Sequence, residues 1–439
     1  MYNEIGISIV MPVYNAGDYL RESIESILNQ TYPSFECICV DDCSDDDKTL
    51  ELLDYYEKKD KRIIVKRLNC NVGAADARNY GFQYVTGEYT IFLDADDIFD
   101  ECLLKTLYNT ALDNASDVCV CSHSVLSDHS DEIIENVLLK EKNGVTDRVF
   151  SVKDLDEDGL YYWWGVPWNK LCRTDFLKTN NIYFQTLSSF NDGYYSVLCT
   201  LLANRIVYAN PNKPLVYYRI NNEKQISFNA NIKNHYKYIK KVLDEYEEKL
   251  GVKEKQQIIY LLVEGGIYRI QKEKNEKKAK SLYDLIKKYL KENVDDSLLI
   301  GTSNRFLNLY RCWLENEFED SDWFEIIDDY YMQIKKKKEE LLANLGSVNS
   351  NIVVWGNGKR GKAIQQFLYE EGISNVIVTD SSPEKIRGNN EWGFSMRSVF
   401  LPTKDCTVIA TNTLIYNELK RQFEKDKVKV INLQKYSEL

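Results

Sequence analysis

Glu88-Tyr89-Thr90-Ile91-Phe92-Leu93-Asp94-Ala95-Asp96-Asp97 carries an apolar run of about five residues straight into three carboxylates. A run that short, bounded by polar residues, reads as a strand buried in a sheet. Carboxylates crowded at its end are costly unless a cation or a polar ligand meets them. Oxygen donors of this kind suit magnesium or manganese, which spend their remaining positions on water and substrate phosphates. The stretch is therefore read as a metal and diphosphate site at a strand end, with Asp94, Asp96 and Asp97 as metal ligands and Ala95 between them.

Toward the N-terminus the same pattern repeats. Ile7 to Met11 is apolar, Pro12 closes it, and Leu20, Ile24, Ile27 and Leu28 then recur at helical spacing. Phe35 to Val40 is a second strand that also ends in acid, at Asp41 and Asp42, with Ser44 and Asp47 suited to cap the helix carrying Leu50, Leu53 and Tyr56. Arg62 to Lys66 makes a third strand, followed by a small-residue helix that ends near Gly81. Strands alternating with amphipathic helices imply an α/β domain with a mostly parallel, doubly wound sheet, which binds ligands outside the carboxyl ends of its strands.

The segments ISIVMPVYNAGDYLRESIESILNQTYPSFECICVDDCSDD, NVGAADARNYG and GEYTIFLDADD resemble, in order and spacing, the nucleotide-sugar domain of family 2 glycosyltransferases of the GT-A fold, over about the first 230 residues. The resemblance implies a UDP-sugar donor and a Mn or Mg ion. Pro12, Val13 and Tyr14 would border the base, Asp42 or Asp41 would accept from the uracil imide, and Arg78 would lie near the base or phosphates. Asp94 and Asp96 match the two acids of the DxD motif. Plainer readings stand beside these: turn and capping chemistry for Asp41 and Asp42, a helix-surface cation for Arg78, and a helix-dipole partner for the acidic run.

Further on, Trp163-Trp164-Gly-Val-Pro167-Trp168-Asn169-Lys170 resembles the family's PWNKL element, which would place Trp168 or Trp164 against sugar and Asn169 and Lys170 in the site. Aromatics at this density are also ordinary core. Asn191-Asp192 falls where the family carries a Glu-Asp pair whose Asp is the base of inverting members. Asp192 keeps that position, and Asn191 removes a neighbouring charge. Tyr217-Tyr218-Arg219 resembles the closing strand, with Arg219 a phosphate contact or a surface arginine.

Residues 231–345 lack proline and repeat apolar residues at helical spacing, among them Ile258, Leu261, Leu262, Leu282, Ile286 and Leu290, which predicts a helical connector domain. Lys335 to Lys338 reads as a solvated helix face or a peripheral contact with the inner face of a membrane. Residues 346–439 open with a strand entering Gly356-x-Gly358-x-x-Gly361 and reach Asp380 after the next strand, the pattern of a small Rossmann-like domain. That domain either binds a nucleotide such as NAD or is a structural, oligomerising module whose glycines permit close packing.

A net charge of −12 argues against nucleic acid as a principal partner. Eleven scattered cysteines without a CxxC pair, and no long apolar span, fit a reduced, cytoplasmic protein. The expected activity is transfer of a hexose or N-acetylhexosamine from a UDP-sugar to a hydroxyl of a glycan or glycoprotein, with inversion. A non-catalytic nucleotide-sugar or NAD-binding scaffold is the alternative.

Overall fold

The computed structural model describes residues 5–127, 133–137, 145, 148–156, 158–160, 166–209, 213–220, 231–273, 275–302, 307, 310, 313–314, 337–345, 351–356, 359–373, 376–379, 395–396, 406–411, 419–420 and 429–433. The chain forms two compact units, 1–315 and 316–439.

The first unit is built on a seven-stranded sheet of order β10-β6-β9-β4-β1-β2-β3. Its strands are β1 (Ile7–Val13), β2 (Phe35–Asp41), β3 (Ile63–Arg67), β4 (Tyr89–Phe92), β6 (Val118–Cys121), β9 (Lys170–Arg173) and β10 (Ile206–Ala209). β1 pairs in parallel with both β2 and β4, and β2 in parallel with β3, as the alternating pattern predicts. Helices α1 (Asp18–Leu28), α2 (Asp47–Lys59), α3 (Ala74–Phe82) and α4 (Leu103–Asp113) connect them. Every residue of β2 is buried, as expected of a strand covered on both faces. Leu20, Ile24 and Ile27 of α1 share one core with Leu103, Leu104 and Leu107 of α4 and with β1, β2 and β4. On the other face α3 approaches closely at Gly81, where an added Cβ would come within 2.6 Å of Val10 and 2.8 Å of Val40.

Three local features go beyond the sequence pattern. β9 runs antiparallel between β4 and β6, so the PWNKL segment is a 3-10 turn (Pro167–Asn169) feeding a reversed strand. A second sheet, β5-β11-β7-β8, joins Ile98–Phe99, Val216–Ile220, His123–Ser127 and Ile133–Val137, so the closing strand at Tyr217-Tyr218-Arg219 pairs outside the seven-stranded sheet. Asp46 caps α2, accepting from the Thr49 N–H at 2.8 Å, while Ser44 Oγ instead accepts from the Asn15 N–H.

After α5 (Thr174–Thr179) and α6 (Asn191–Leu202), the first unit continues in α7 (Lys233–Tyr246), α8 (Val252–Lys272) and α9 (Glu276–Asn293). Ile258, Leu261, Leu262, Leu282, Ile286 and Leu290 are all buried there. No helix among the described residues is long and apolar enough to cross a membrane. Nine cysteines among them are free.

The second unit holds α10 (Lys338–Leu345), α11 (Lys359–Glu370) and a parallel sheet of order β14-β13-β12-β15-β16. Those strands are β12 (Asn351–Trp355), β13 (Val376–Thr379), β14 (Ser395–Met396), β15 (Cys406–Ala410) and β16 (Lys429–Asn432), so the first strand is central and the order is the doubly wound 3-2-1-4-5. Gly356 has φ 107°, and a Cβ on Gly361 would lie 1.9 Å from the Gly356 carbonyl oxygen. Close packing of strand to helix is therefore sufficient reason for both glycines. Gly358 and Asp380 lie outside the described residues.

Candidate active site

Three loops at the carboxyl ends of β1, β2 and β4 meet at one edge of the sheet. The β1 loop is braced by Asn15, at φ 48°, whose Nδ2 donates to Asp45 Oδ1 at 2.6 Å and whose Oδ1 accepts from the Asp45 and Asp46 N–H groups. This brace holds Pro12 half-buried, Val13 buried and Tyr14 51% exposed. Asp41 and Asp42 follow at the end of β2, both buried. Asp41 accepts from the Ser44 N–H at 2.9 Å, which is turn chemistry. Asp42 accepts from the Val72 and Gly73 N–H groups at 2.7 and 2.8 Å and so anchors the loop that starts α3. Asp41 Oδ2 also faces the Arg67 guanidinium at 3.9 Å.

Arg78 on α3 is buried rather than a surface cation. It donates to Asp94 Oδ1 at 2.5 Å and to Asn191 Oδ1 at 3.3 Å, and its guanidinium lies 5.1 Å from the Phe184 ring centre. One cation therefore ties the acidic strand end to the start of α6. Asp192 sits half-buried in the first turn of that helix. Burial pushes its carboxyl upward first, and the Asp94 charge adds to this, while Arg78 and Lys170 pull the other way. A carboxylate held above its ordinary range is a better proton acceptor.

The acidic run divides its labour. Asp94 is a quarter exposed and paired with Arg78. Ala95 is buried and Asp96 half-buried. Asp97 is fully buried; its Oδ1 accepts from the Arg219 N–H at 2.9 Å and its Oδ2 has no hydrogen-bond partner. Burial, then the charges of Asp96 and Asp94, raise its carboxyl well above the usual range. Among the described residues no three His, Cys, Asp or Glu side chains form a self-sufficient metal cage. The run nevertheless fits a hard divalent ion that takes one or two protein carboxylates and shares the rest of its shell with substrate oxygens. Positive charge there would relieve the like-charge crowding around Asp97.

Other predicted contacts turn inward. Trp168 is only 3% exposed, stacked on Tyr218 at 5.4 Å with the His123 ring edge-on at 4.7 Å, so it is a core side chain and not a sugar platform. Trp163 and Trp164 lie outside the described residues. Asn169 and Lys170 are buried, with Lys170 Nζ donating to Asn169 Oδ1 at 2.8 Å and to the Val166 carbonyl at 2.9 Å. Desolvation lowers the Lys170 ammonium to about 8, with nearby thiols and Asp192 opposing the shift. Lys170 therefore acts on Asp192 by its charge from within the protein, where the expectation had it lining the cleft. Arg219 is buried and not a surface arginine: it donates to the Asp96 carbonyl at 3.1 Å and to Glu22 at 2.7 Å, pinning the acidic turn to α1. The bracing residues Asn15 and Asn191 had only weak signals in the sequence, a polar residue two positions before Gly17 in a turn and an amide next to the acid.

A sequence profile described as Glycosyl transferase family 2 matches residues 8–160. Glycosyltransferase GlyG of Streptococcus pneumoniae serotype 4 is 32% identical over 215 residues, which cover 47% of this chain and 68% of that protein. The poly(ribitol-phosphate) beta-glucosyltransferase of Bacillus spizizenii is 32% identical over 204 residues, 46% of this chain but only 30% of that protein. The crystal structure of S. aureus TarS 1-349 in complex with UDP-GlcNAc superposes with a TM-score of 0.58 at 21% identity, covering 71% of this chain and 90% of that one, which shows a shared GT-A fold.

Proposed function

The chain belongs to the family 2 glycosyltransferases, and we propose that it moves a hexose or N-acetylhexosamine from a UDP-sugar to a hydroxyl of a glycan or glycoprotein, with inversion. The observation that carries the reading is the Arg78 bridge, which brings the Asp94 to Asp97 turn together with Asp192. Relatives named as poly(ribitol-phosphate) glucosyl- and N-acetylglucosaminyltransferases support the sugar class and a polymeric acceptor, although the glucosyltransferase is matched over less than a third of its length.

In the proposed reaction the acceptor hydroxyl approaches the anomeric carbon from the side opposite the diphosphate. Asp192 takes the hydroxyl proton as the new carbon–oxygen bond forms. The bond from the anomeric carbon to the diphosphate breaks, and its electron pair leaves with UDP. A single base and in-line attack invert the configuration. Asp96, with Asp94 or Asp97, would hold a Mn or Mg ion, whose charge would support the departing diphosphate. Arg78 keeps Asp94 in place, and the Asp41 and Asp42 loops with Pro12, Val13 and Tyr14 form the wall assigned to the base.

We read residues 1–230 as the transferase domain, 231–345 as helical and 346–439 as a structural module, with no dinucleotide chemistry assigned to the last. The test is UDP release from UDP-glucose, UDP-galactose and their N-acetylated forms, with manganese or magnesium. Release from at least one donor is expected; none from any would overturn the donor assignment.

A further inference from the structure

Helices α7 and α8 contribute none of the acids of the site, yet their side chains close on the residues that deliver Asp192. Asn234 of α7 is buried, and its Nδ2 donates to the Ser189 carbonyl at 3.2 Å and to the Ser188 and Ser189 hydroxyls at 3.3 Å. The Asn231 N–H donates to the same Ser189 hydroxyl at 2.9 Å. One turn along α7, the Tyr238 ring lies against Gly193, where an added Cβ would come within 2.8 Å of it. From α8, the Arg269 guanidinium stands 4.5 Å from the Phe190 ring centre.

These contacts surround a strained position. Phe190 has φ 56° and ψ 26°, the left-handed region that bulky L side chains avoid, and it is the residue before α6 begins. Such a conformation persists only where its surroundings over-determine it. Here Ser189 is held by Asn234, Phe190 by Arg269 and Gly193 by Tyr238. The two residues between, Asn191 and Asp192, are then presented to Arg78 and to the acidic turn.

We infer that α7 and α8 are a positioning device for the base, with Asn234 and Arg269 holding the left-handed turn at Phe190 that aims Asp192. The inference rests on Asp192 as the base. It also gives the helical region a part in turnover without contact with donor or acceptor.

The test compares Asn234→Asp, which keeps the shape but loses the donor, with Arg269→Lys and Phe190→Gly. Phe190→Gly tolerates the left-handed turn and removes the ring, so it keeps the test open if a buried polar variant fails to fold. Three readouts are taken on the full chain: hydrogen exchange of the amides at 190–193, kcat and KM for UDP release, and the Kd for UDP by calorimetry. Exchange is expected to quicken at least tenfold, and kcat to fall at least tenfold with KM and Kd within twofold. Arg269→Lys, which keeps the charge, should retain more activity than Asn234→Asp. Unchanged exchange would overturn the clamp, and faster exchange with unchanged kcat would overturn its role in turnover. Full activity in Asp192→Asn would overturn the base assignment instead, while exchange still reports on the clamp.

Discussion

Arg78 on α3 and Asp94 just past the end of β4 meet at 2.5 Å, and the same guanidinium reaches Asn191 beside Asp192. One buried cation thus serves both halves of the site. Its removal should be felt at the acidic turn and at the base together.

The first consequence concerns pH. As the proposed base, Asp192 must be ionised to accept a proton, and its carboxyl is already raised by burial and by Asp94. Activity is therefore lost as pH falls through that raised value. Arg78 and Lys170 pull the carboxyl down, so Arg78→Met should move the acid limb of kcat upward. A pH–rate profile of UDP release measures this, and an unmoved limb would separate Arg78 from the base.

Replacing the proposed base should spare binding. Asp192→Asn is isosteric, and it should lower turnover by about 10²- to 10⁴-fold. The Kd for UDP, measured by calorimetry, should stay within about twofold because the proposed nucleotide wall lies on the β1 and β2 loops.

Metal removal should act on the other half. EDTA is expected to stop UDP release, and added manganese or magnesium to restore it. Asp96→Ala should raise the metal concentration for half-maximal turnover at least about tenfold. Full activity in EDTA would contradict the ligand assignment.

Stability carries its own pH signature. His235 is fully buried between α7 and α8, with its Nε2 near the Leu262 carbonyl and Tyr238 OH near Nδ1. Desolvation first, and then the Arg269 charge, lower its pKa well below the usual range. The unfolded chain therefore binds more protons than the folded one as pH drops below about 6.5. Stability should decline in that window by up to about 1.4 kcal/mol per pH unit, and His235→Gln should flatten the decline. Urea denaturation at pH 7.5, 6.0 and 5.0 measures the slope.

The amino-acid sequence alone determined the parallel core, the order of the strand-end acids and the helix that begins at Asn191. Those features live in local periodicity and in short spacings, where an apolar run, a glycine or a carboxylate has its effect within a few residues. The reversed strand β9, the burial of Trp168 and the inward use of Arg219 were decided only by tertiary structure. A motif such as PWNKL specifies residue types, but whether an indole faces a cleft or a core depends on what packs over it, here Tyr218 and His123. The same holds for the site's wiring. Arg78 finds Asn191 across 113 residues and Arg219 finds Asp97 across 122, and no local pattern encodes such contacts, because folding selects them from the whole chain.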